Sequence, residues 1–397
     1  MANESRRNLV NMQNTREVFP DFLRGFALLG IVLVNAPFLG LSTVLGVSAA
    51  DVSQAQNYVP ALLINALALG KFYLLFSFLF GYSAGFVLKD SKDNLKRWIA
   101  RAFFLIVMGA LHASFLFHGD ILFGYGVLAL VLALLYFRSD RVLKIWARVL
   151  YLGTTALFTA FALLLWFAES ILGEDVGETV TESRLDYSLV SGSFLDNASA
   201  RIELWSTGLG ESFLLQGLMA LSAFLVGVLA SRRRLLAAGA SPEAMKKLAL
   251  WGLGLGLPIQ LTGSWFLLQN QLSENFSSGV DLGLFVLLFF SAPLLSAGYV
   301  GGLWLVLQTL GRGVGLIAAA GRHSLSVYIS QSLILAFVFS NWGLGLFGQL
   351  QLWLVTLIAI AAWLVPSLLA LWNSRYRASG PLEWLLKNTT APFRSQQ

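Results

Sequence analysis

The sequence predicts an all-α, polytopic integral membrane protein of about ten transmembrane helices with both termini in the cytoplasm. Three observations predict it. Of 397 residues, 57% are apolar and only 12% are charged. That is about half the charged share of an ordinary soluble domain, too little to clothe a water-facing surface. Mean hydropathy is +0.71, and apolar runs of roughly twenty residues recur along the chain. The basic residues, finally, gather in alternate connecting segments. Soluble enzymes, disordered tails and nucleic-acid-binding domains are excluded. The net charge of +6 reflects topology, so no nucleic acid is expected as a partner; membrane lipids are.

The runs cover 22–40, 71–88, 98–117, 121–137, 143–167, 213–230, 248–268, 282–310, 324–339 and 352–372. Each can cross about 30 Å of hydrocarbon at about 1.5 Å per residue, allowing for tilt. They are continuous and do not alternate, so they are helices and not barrel strands. The run 282–310 contains Pro293, Gly298, Gly301 and Gly302. It reads as one tilted or kinked span, because splitting it would place Arg375 and Arg377 outside. The stretch 59–70 is apolar but too short to cross, and is expected to lie at the outer face or re-enter ahead of Lys71.

With the N-terminus in the cytoplasm, 24 of the 27 basic residues fall in inner segments, leaving Lys71, Arg184 and Arg201 outside. Thirteen of the 21 acidic residues fall outside. This is the positive-inside asymmetry of a multi-pass protein. The chain divides into an N-terminal membrane half, 1–170, an acidic external loop, 171–211, and a C-terminal membrane half, 212–397. No cleavable signal peptide is expected, since the first run starts after Pro20 and is too long for a signal core. The absence of cysteine excludes disulfides, thiolate metal sites and a cysteine nucleophile. Three histidines, one of them (His323) on the inner side, make no metal-ligand set, so no metal or bound cofactor is expected.

Ionisable groups at membrane depth are costly and mark function by default. Asp21 and Arg24, three apart at the inner start of the first span, share a helix face and can pair. They are an interface anchor or a site for a phosphate-bearing donor. Lys71 either snorkels to the outer interface or points into a polar cavity. The richest cluster joins the third and fourth spans: Gly109, His112, then His118-Gly119-Asp120 and Tyr125. The short turn brings His112 near Asp120, and an imidazole oriented by a carboxylate can take a proton from a hydroxyl or amine. The alternative is an inter-helix histidine beside a helix-capping aspartate. Tyr328 and Gln331, with the serines around them, serve as inter-helix hydrogen bonds or as part of a polar cavity.

These blocks carry a resemblance. Asp21-x-x-Arg24-Gly25-Phe26-Ala27-Leu28-Leu29-Gly30-Ile31 through Asn35 resembles the opening of YeiB-like bacterial inner-membrane proteins. Lys71-Phe72, Leu79-Phe80-Gly81, Gly109-x-x-His112, Gly119-Asp120-Ile121-Leu122 and Tyr125 continue it. Gly321-Arg322-x-Ser324-Leu325-x-x-Tyr328-x-x-Gln331-Ser332 and Gly380-Pro381-Leu382-Glu383-Trp384 complete it. The C-terminal half, 212–397, resembles that family's domain of unknown function 418. The family is in turn similar to transmembrane acyltransferases such as heparan-alpha-glucosaminide N-acetyltransferase, which makes 1–170 the acyltransferase-like half. The resemblance implies a multi-pass protein of the bacterial cytoplasmic membrane that passes an acyl group from cytoplasmic acyl-CoA, a co-substrate, to a glycan, lipid or small-metabolite acceptor at the outer face. The human relative's histidine near the outer end of its first spans has no counterpart here, where the chain offers Asn35; His112 is the substitute candidate. His112 and Asp120 would then be catalytic. Asp21, Arg24, Asn35, Lys71, Tyr125, Tyr328 and Gln331 would bind donor or line a polar cavity. The rival readings are a transporter or flippase using the same groups as a substrate or proton path, and an assembly protein without chemistry. A homodimer is compatible with the sequence.

Overall fold

Lipid surrounds such a chain and apolar side chains fill it, so close packing of small residues and buried hydrogen bonds hold the helices together. The computed structural model describes residues 18–89, 91–172, 183–237, 240–310, 315–376 and 379–393. Glu4, Arg6, Arg7, Arg16, Glu17, Asp90, Glu174, Asp175, Glu178, Glu182, Arg312, Arg377 and Arg394, all in the charge count that orients the chain, lie outside the described residues. Every regular element among those described is helical. The first half holds α1 (Val18–Gly40), α2 (Ala55–Leu63) with a π turn (Ile64–Ala68), α3 (Lys71–Leu88), α4 (Leu95–Phe115), α5 (Leu122–Leu135) and α6 (Asp140–Leu172). Next come α7 (Arg184–Ser191), α8 (Phe194–Ser212), α9 (Leu218–Arg232), α10 (Pro242–Leu272) and α11 (Ser278–Leu310). The chain ends with α12 (Gly315–Arg322), α13 (Ser324–Phe339), α14 (Leu352–Asn373) and α15 (Pro381–Thr390).

The protein is an all-α, polytopic membrane protein. Among the described residues, seven stretches are long and apolar enough to cross a membrane: α1, α2–α3, α4, α6, α8–α9, α11 and α14. The remaining three of the ten apolar runs are helices as well. Two of these, α5 and α13, are shorter apolar helices, and α10 carries Gln260, Thr262, Ser264 and Gln269 along its length.

Helix α1 sits centrally, packed on α3, α12, α13 and α14. Gly25 and Gly321 let α1 and α12 touch backbone to backbone: a methyl on either would overlap the carbonyl oxygen of Ile317 or of Asp21. Trp363 Nε1 donates to the Gly25 carbonyl at 3.1 Å, tying α14 to the same place. The most apolar window of α1 is 61% buried and that of α6 only 11%. Helix α6 is therefore the peripheral one, with Phe161, Leu164 and Phe167 turned outward.

Three expectations are refined. The stretch 59–70 is α2 and its π turn, and the chain breaks at Gly70 (φ +77°) before α3 begins at Lys71. The segment 171–211, expected as an external loop, is helical where it is described: capping boxes at Ser183 and Ser193 start α7 and α8. Helix α8 then continues through a second π turn into α9, a helical stretch of 39 residues. The run 282–310 is one 33-residue helix with Pro293 inside it. One end of the bundle gathers Arg24, Arg97, Arg232, Arg322 and Lys387 around a shared cavity. At the opposite, acidic end Thr43 bonds Asp186 and Arg201 bonds Ser340.

Candidate functional site

The turn between α4 and α5 folds as it does because of two residues. Asp120 Oδ1 accepts from the backbone N–H of Phe123 at 2.7 Å and so starts α5. Gly109 leaves room for that start: a methyl there would overlap Phe123 N and the Asp120 carboxylate. The second Asp120 oxygen, Oδ2, is then directed at α4, and meets His112 Nδ1 at 2.7 Å. Both side chains are fully buried. His112 Nε2 is buried as well and has no hydrogen-bond partner among the described residues. The Tyr328 ring lies against the imidazole, centroids 5.0 Å apart, and the Tyr328 hydroxyl is likewise buried without a hydrogen bond. Native interiors rarely leave buried polar atoms without a partner, which makes His112 Nε2 a candidate contact for a bound polar group. Phe117 closes another side of the ring.

Tyr125, one turn into α5, shares a hydrogen bond of 2.7 Å with Ser77 Oγ on α3, which itself donates to the Tyr73 carbonyl. The Tyr125 ring packs between Phe80 and Phe224. It forms, with Leu122, Leu105, Phe76 and Phe80, the apolar depth of a cavity of about 1600 Å³ that opens at the basic end of the bundle. Seven basic side chains line it, Arg24, Arg97, Arg101, Arg232, Arg234, Arg322 and Lys387, against the carboxylates of Asp21 and Glu383. Asp21 and Arg24 pair at 2.7 Å, as their spacing predicts. Arg232 bonds Asp140 at 2.6 Å.

His112 and Asp120 do not line this cavity, but one face of α4 leads to them. Arg97, Arg101, Leu105, Gly109 and His112 follow one another at helical spacing. Fifteen residues separate Arg97 from His112, about 22 Å at the helical rise.

The structure separates the other expected residues from this site. Lys71 neither snorkels nor enters the cavity. It is fully buried, and its Nζ turns back to the Asn65 carbonyl at 2.7 Å. There it satisfies an acceptor that the helix break after the π turn leaves exposed. Gln331 Nε2 donates to the Leu28 carbonyl at 3.4 Å, joining α13 to α1. Asn35 is half-buried on α1. Several contributors carry little local signal in the sequence. Ser77 is a small polar residue within the apolar run 71–88. Arg101 was counted only as a positive-inside charge, although its spacing from Arg97 and His112 puts all three on one side of α4. Glu383 reaches back to α13, where it accepts from Leu325 N (2.7 Å), Ser326 N (3.1 Å) and Ser326 Oγ (2.6 Å).

At the acidic end the same site is covered. Thr43 N donates to Asp186 Oδ1 at 2.9 Å and Thr43 Oγ1 meets Ser183 Oγ at 2.6 Å. Arg201 on α8, itself buried, donates to the Phe115 carbonyl at 3.3 Å and to Ser340 Oγ at 3.1 Å. It thereby sits at the C-terminal ends of α4 and α13, where helix dipoles favour a cation.

The family model described as a protein of unknown function (DUF418) matches residues 230–392. The uncharacterized protein YxaH of Bacillus subtilis is 30% identical over 408 residues, covering 96% of this chain and 95% of its own. The uncharacterized protein YeiB of Escherichia coli is 27% identical over 389 residues, covering 94% and 96%. An uncharacterized 39.9 kDa protein encoded in the amylase 3′ region of Bacillus acidopullulyticus is 27% identical, covering 93% and 92%. No solved structure matches the chain. With end-to-end similarity to YxaH and YeiB and the DUF418 match across its C-terminal half, the chain belongs to the YeiB-like family of DUF418 membrane proteins.

Proposed function

We propose that this protein is a membrane acyltransferase that takes an acyl group from acyl-CoA at the basic end of the bundle and passes it to a hydroxyl or amine acceptor at the acidic end. In this reading the basic end faces the cytoplasm of a bacterial cell, as the positive-inside rule requires. One observation carries it. A buried His112–Asp120 pair with an unused Nε2 stands at the far end of a helix face that begins in a basic cavity.

The chemistry follows from the groups in place. Asp120 holds a proton on His112 Nδ1, which makes Nε2 the acceptor lone pair. Nε2 takes the proton of the acceptor hydroxyl as its oxygen attacks the thioester carbonyl. The Tyr328 hydroxyl, unspent and beside the ring, is the donor available to the oxyanion that develops. Collapse breaks the carbon–sulfur bond, and the leaving thiolate takes the proton back from the imidazolium, which Asp120 stabilises meanwhile. The arginines hold the donor's phosphates, and the apolar neck past Leu105 and Tyr125 takes the extended arm that must bridge to His112.

The test uses purified protein in nanodiscs with radiolabelled acetyl-CoA and an extract of envelope lipids and glycans, following free CoA and label transfer. Transfer that His112→Ala abolishes in a folded protein supports the reading. Transfer that survives removes His112 from the mechanism. An absence of transfer with acetyl and longer acyl donors shifts the weight to transport. One feature favours that second reading: the helix break at Gly70 with buried Lys71, since interrupted helices with ionisable groups at depth also build substrate paths. Vesicle uptake distinguishes it.

A further inference from the structure

The block Gly380–Trp384 is not needed by the transfer chemistry, yet its one acid enters the basic cavity. Glu383 spends its carboxylate on the first N–H groups of α13, Leu325 N and Ser326 N, and on Ser326 Oγ. These are the donors with which a 16-residue helix ordinarily receives a phosphate. Two independent features mark the place as one for an external anion. The cavity walls carry seven basic groups against two acids. Arg101, within electrostatic reach of Arg24, Arg97 and Glu383, keeps its Nε buried and without a hydrogen bond. A carboxylate offers two acceptor oxygens to this surround, and a phosphate offers three or more with greater charge.

We propose that the N-terminus of α13, with Arg24 and Arg101, is the phosphate subsite of the cavity, and that Glu383 occupies it as an internal counter-ion which the incoming phosphate displaces. The inference rests on the donor reading only in taking the cavity to receive a phosphate-bearing ligand; the transfer reaction is not required. Glu383 thereby makes ligand binding an exchange: one anion leaves the helix end as another arrives. Helix α15 carries Glu383 and also lines the cavity through Leu386, Lys387 and Thr390, so the exchange is felt at the rim through which the ligand enters.

The experiment measures binding alone, on the full chain in nanodiscs. The soluble probes are adenosine 3′,5′-bisphosphate and inorganic pyrophosphate, and the lipid probe is phosphatidic acid in mixed micelles. Glu383→Gln removes the competing charge while keeping an oxygen for Ser326, and is expected to tighten probe binding about tenfold, or about 1.4 kcal/mol. Glu383→Asp keeps the charge but shortens the reach, and is expected to tighten it about threefold; it serves if the glutamine variant does not fold. Arg101→Gln is expected to weaken binding about tenfold in either background. Tightening for the soluble probes alone assigns a soluble phosphate, and for phosphatidic acid alone a lipid headgroup. Unchanged or weakened binding in both Glu383 variants overturns the inference while leaving the donor reading to the transfer assay. Failure of all three probes to bind any variant also overturns it.

Discussion

The two ends of the bundle treat the same buried pair in opposite ways. From the basic end a cavity of about 1600 Å³ runs inward to Leu122 and Tyr125, a turn from Asp120. From the acidic end His112 is covered by a helical hairpin, α7–α8, fastened at Thr43, Phe115 and Ser340. The contrast is chemical as well as geometric. At the basic mouth Arg24 and Arg232 pair with carboxylates while still lining open space, whereas Arg201 at the other end is buried against two helix C-termini. The basic side therefore offers an open cavity that stops a turn short of the pair, and the acidic side is closed by bonded helices. Under the proposed transfer reaction, such an arrangement would keep water from the reacting groups.

The largest effect that would break this comparison is at the pair itself. His112→Ala should lower transfer by about 10²–10⁴-fold, the usual contribution of a positioned base. Asp120→Asn should approach the same loss for a different reason. Its oxygen can still start α5, but its amide then presents an N–H to His112 Nδ1 and moves the ring proton to Nε2. Rates of CoA release at saturating donor check both; an Asp120→Asn enzyme with full activity would remove the carboxylate from the mechanism.

Access is the next largest. The chain has no cysteine, so a single introduced thiol reports its own surroundings. Leu105→Cys should react with a membrane-impermeant maleimide from the basic side at least tenfold faster than His112→Cys does from the acidic side. Arg201→Met, which frees the Phe115 carbonyl and Ser340, should raise the second rate several-fold and leave the first unchanged. Equal rates at the two positions in the parent background would erase the asymmetry.

A smaller effect is expected at Gly109. Gly109→Ala inserts a methyl between α4 and α5 where Phe123 N and the Asp120 carboxylate already lie. Overpacking of this kind costs about 1–3 kcal/mol. The unfolding midpoint in detergent should fall, and His112 should lose its Asp120 partner before the helices separate. Gly124, with open space around its position, is the control: Gly124→Ala should be neutral or stabilising.

How much of this was legible in the sequence follows from which forces write locally. Spans read well because lipid demands continuous apolar runs, and α1, α4, α11 and α14 begin and end near where the runs do. The meeting of His112 and Asp120 was legible because a short turn confines both. Lys71 misled, since a lone lysine at depth looks the same in sequence whether it faces a cavity or bonds a carbonyl six residues back. The helices within the segment 171–211 were harder to read. Its acids suggest a solvated loop, yet Asp186 and Asp196 serve as capping-box partners that start helices. The approach of Glu383 to α13 joins residues 57 apart, and nothing local announces it. Arg97, Arg101 and His112 were the missed opportunity: their spacing writes one helix face, and the positive-inside count hid it.

The smallest predicted effect tests the closed end through acid. His118 lies in the turn beside the pair, half-buried, facing the Thr43 backbone with Arg201 and Asp186 nearby. Burial, helped by the Arg201 cation and opposed by the Thr43 backbone and the Asp186 carboxylate, pushes its pKa down to about 4, against about 6.5 in an unfolded chain. As pH falls below about 6.5, the unfolded or opened state takes the proton first, so stability is intact above that value and is lost progressively toward pH 4. The loss should appear first where His118 sits. Between pH 7 and 4.5, hydrogen exchange should quicken in the α4–α5 turn and in α7, while α10 and α11 stay protected. His118→Gln should flatten that dependence. If the variant and the parent lose protection in step as the pH falls, some other group opens the hairpin, and the acidic end is closed by Asp186 and Arg201 alone.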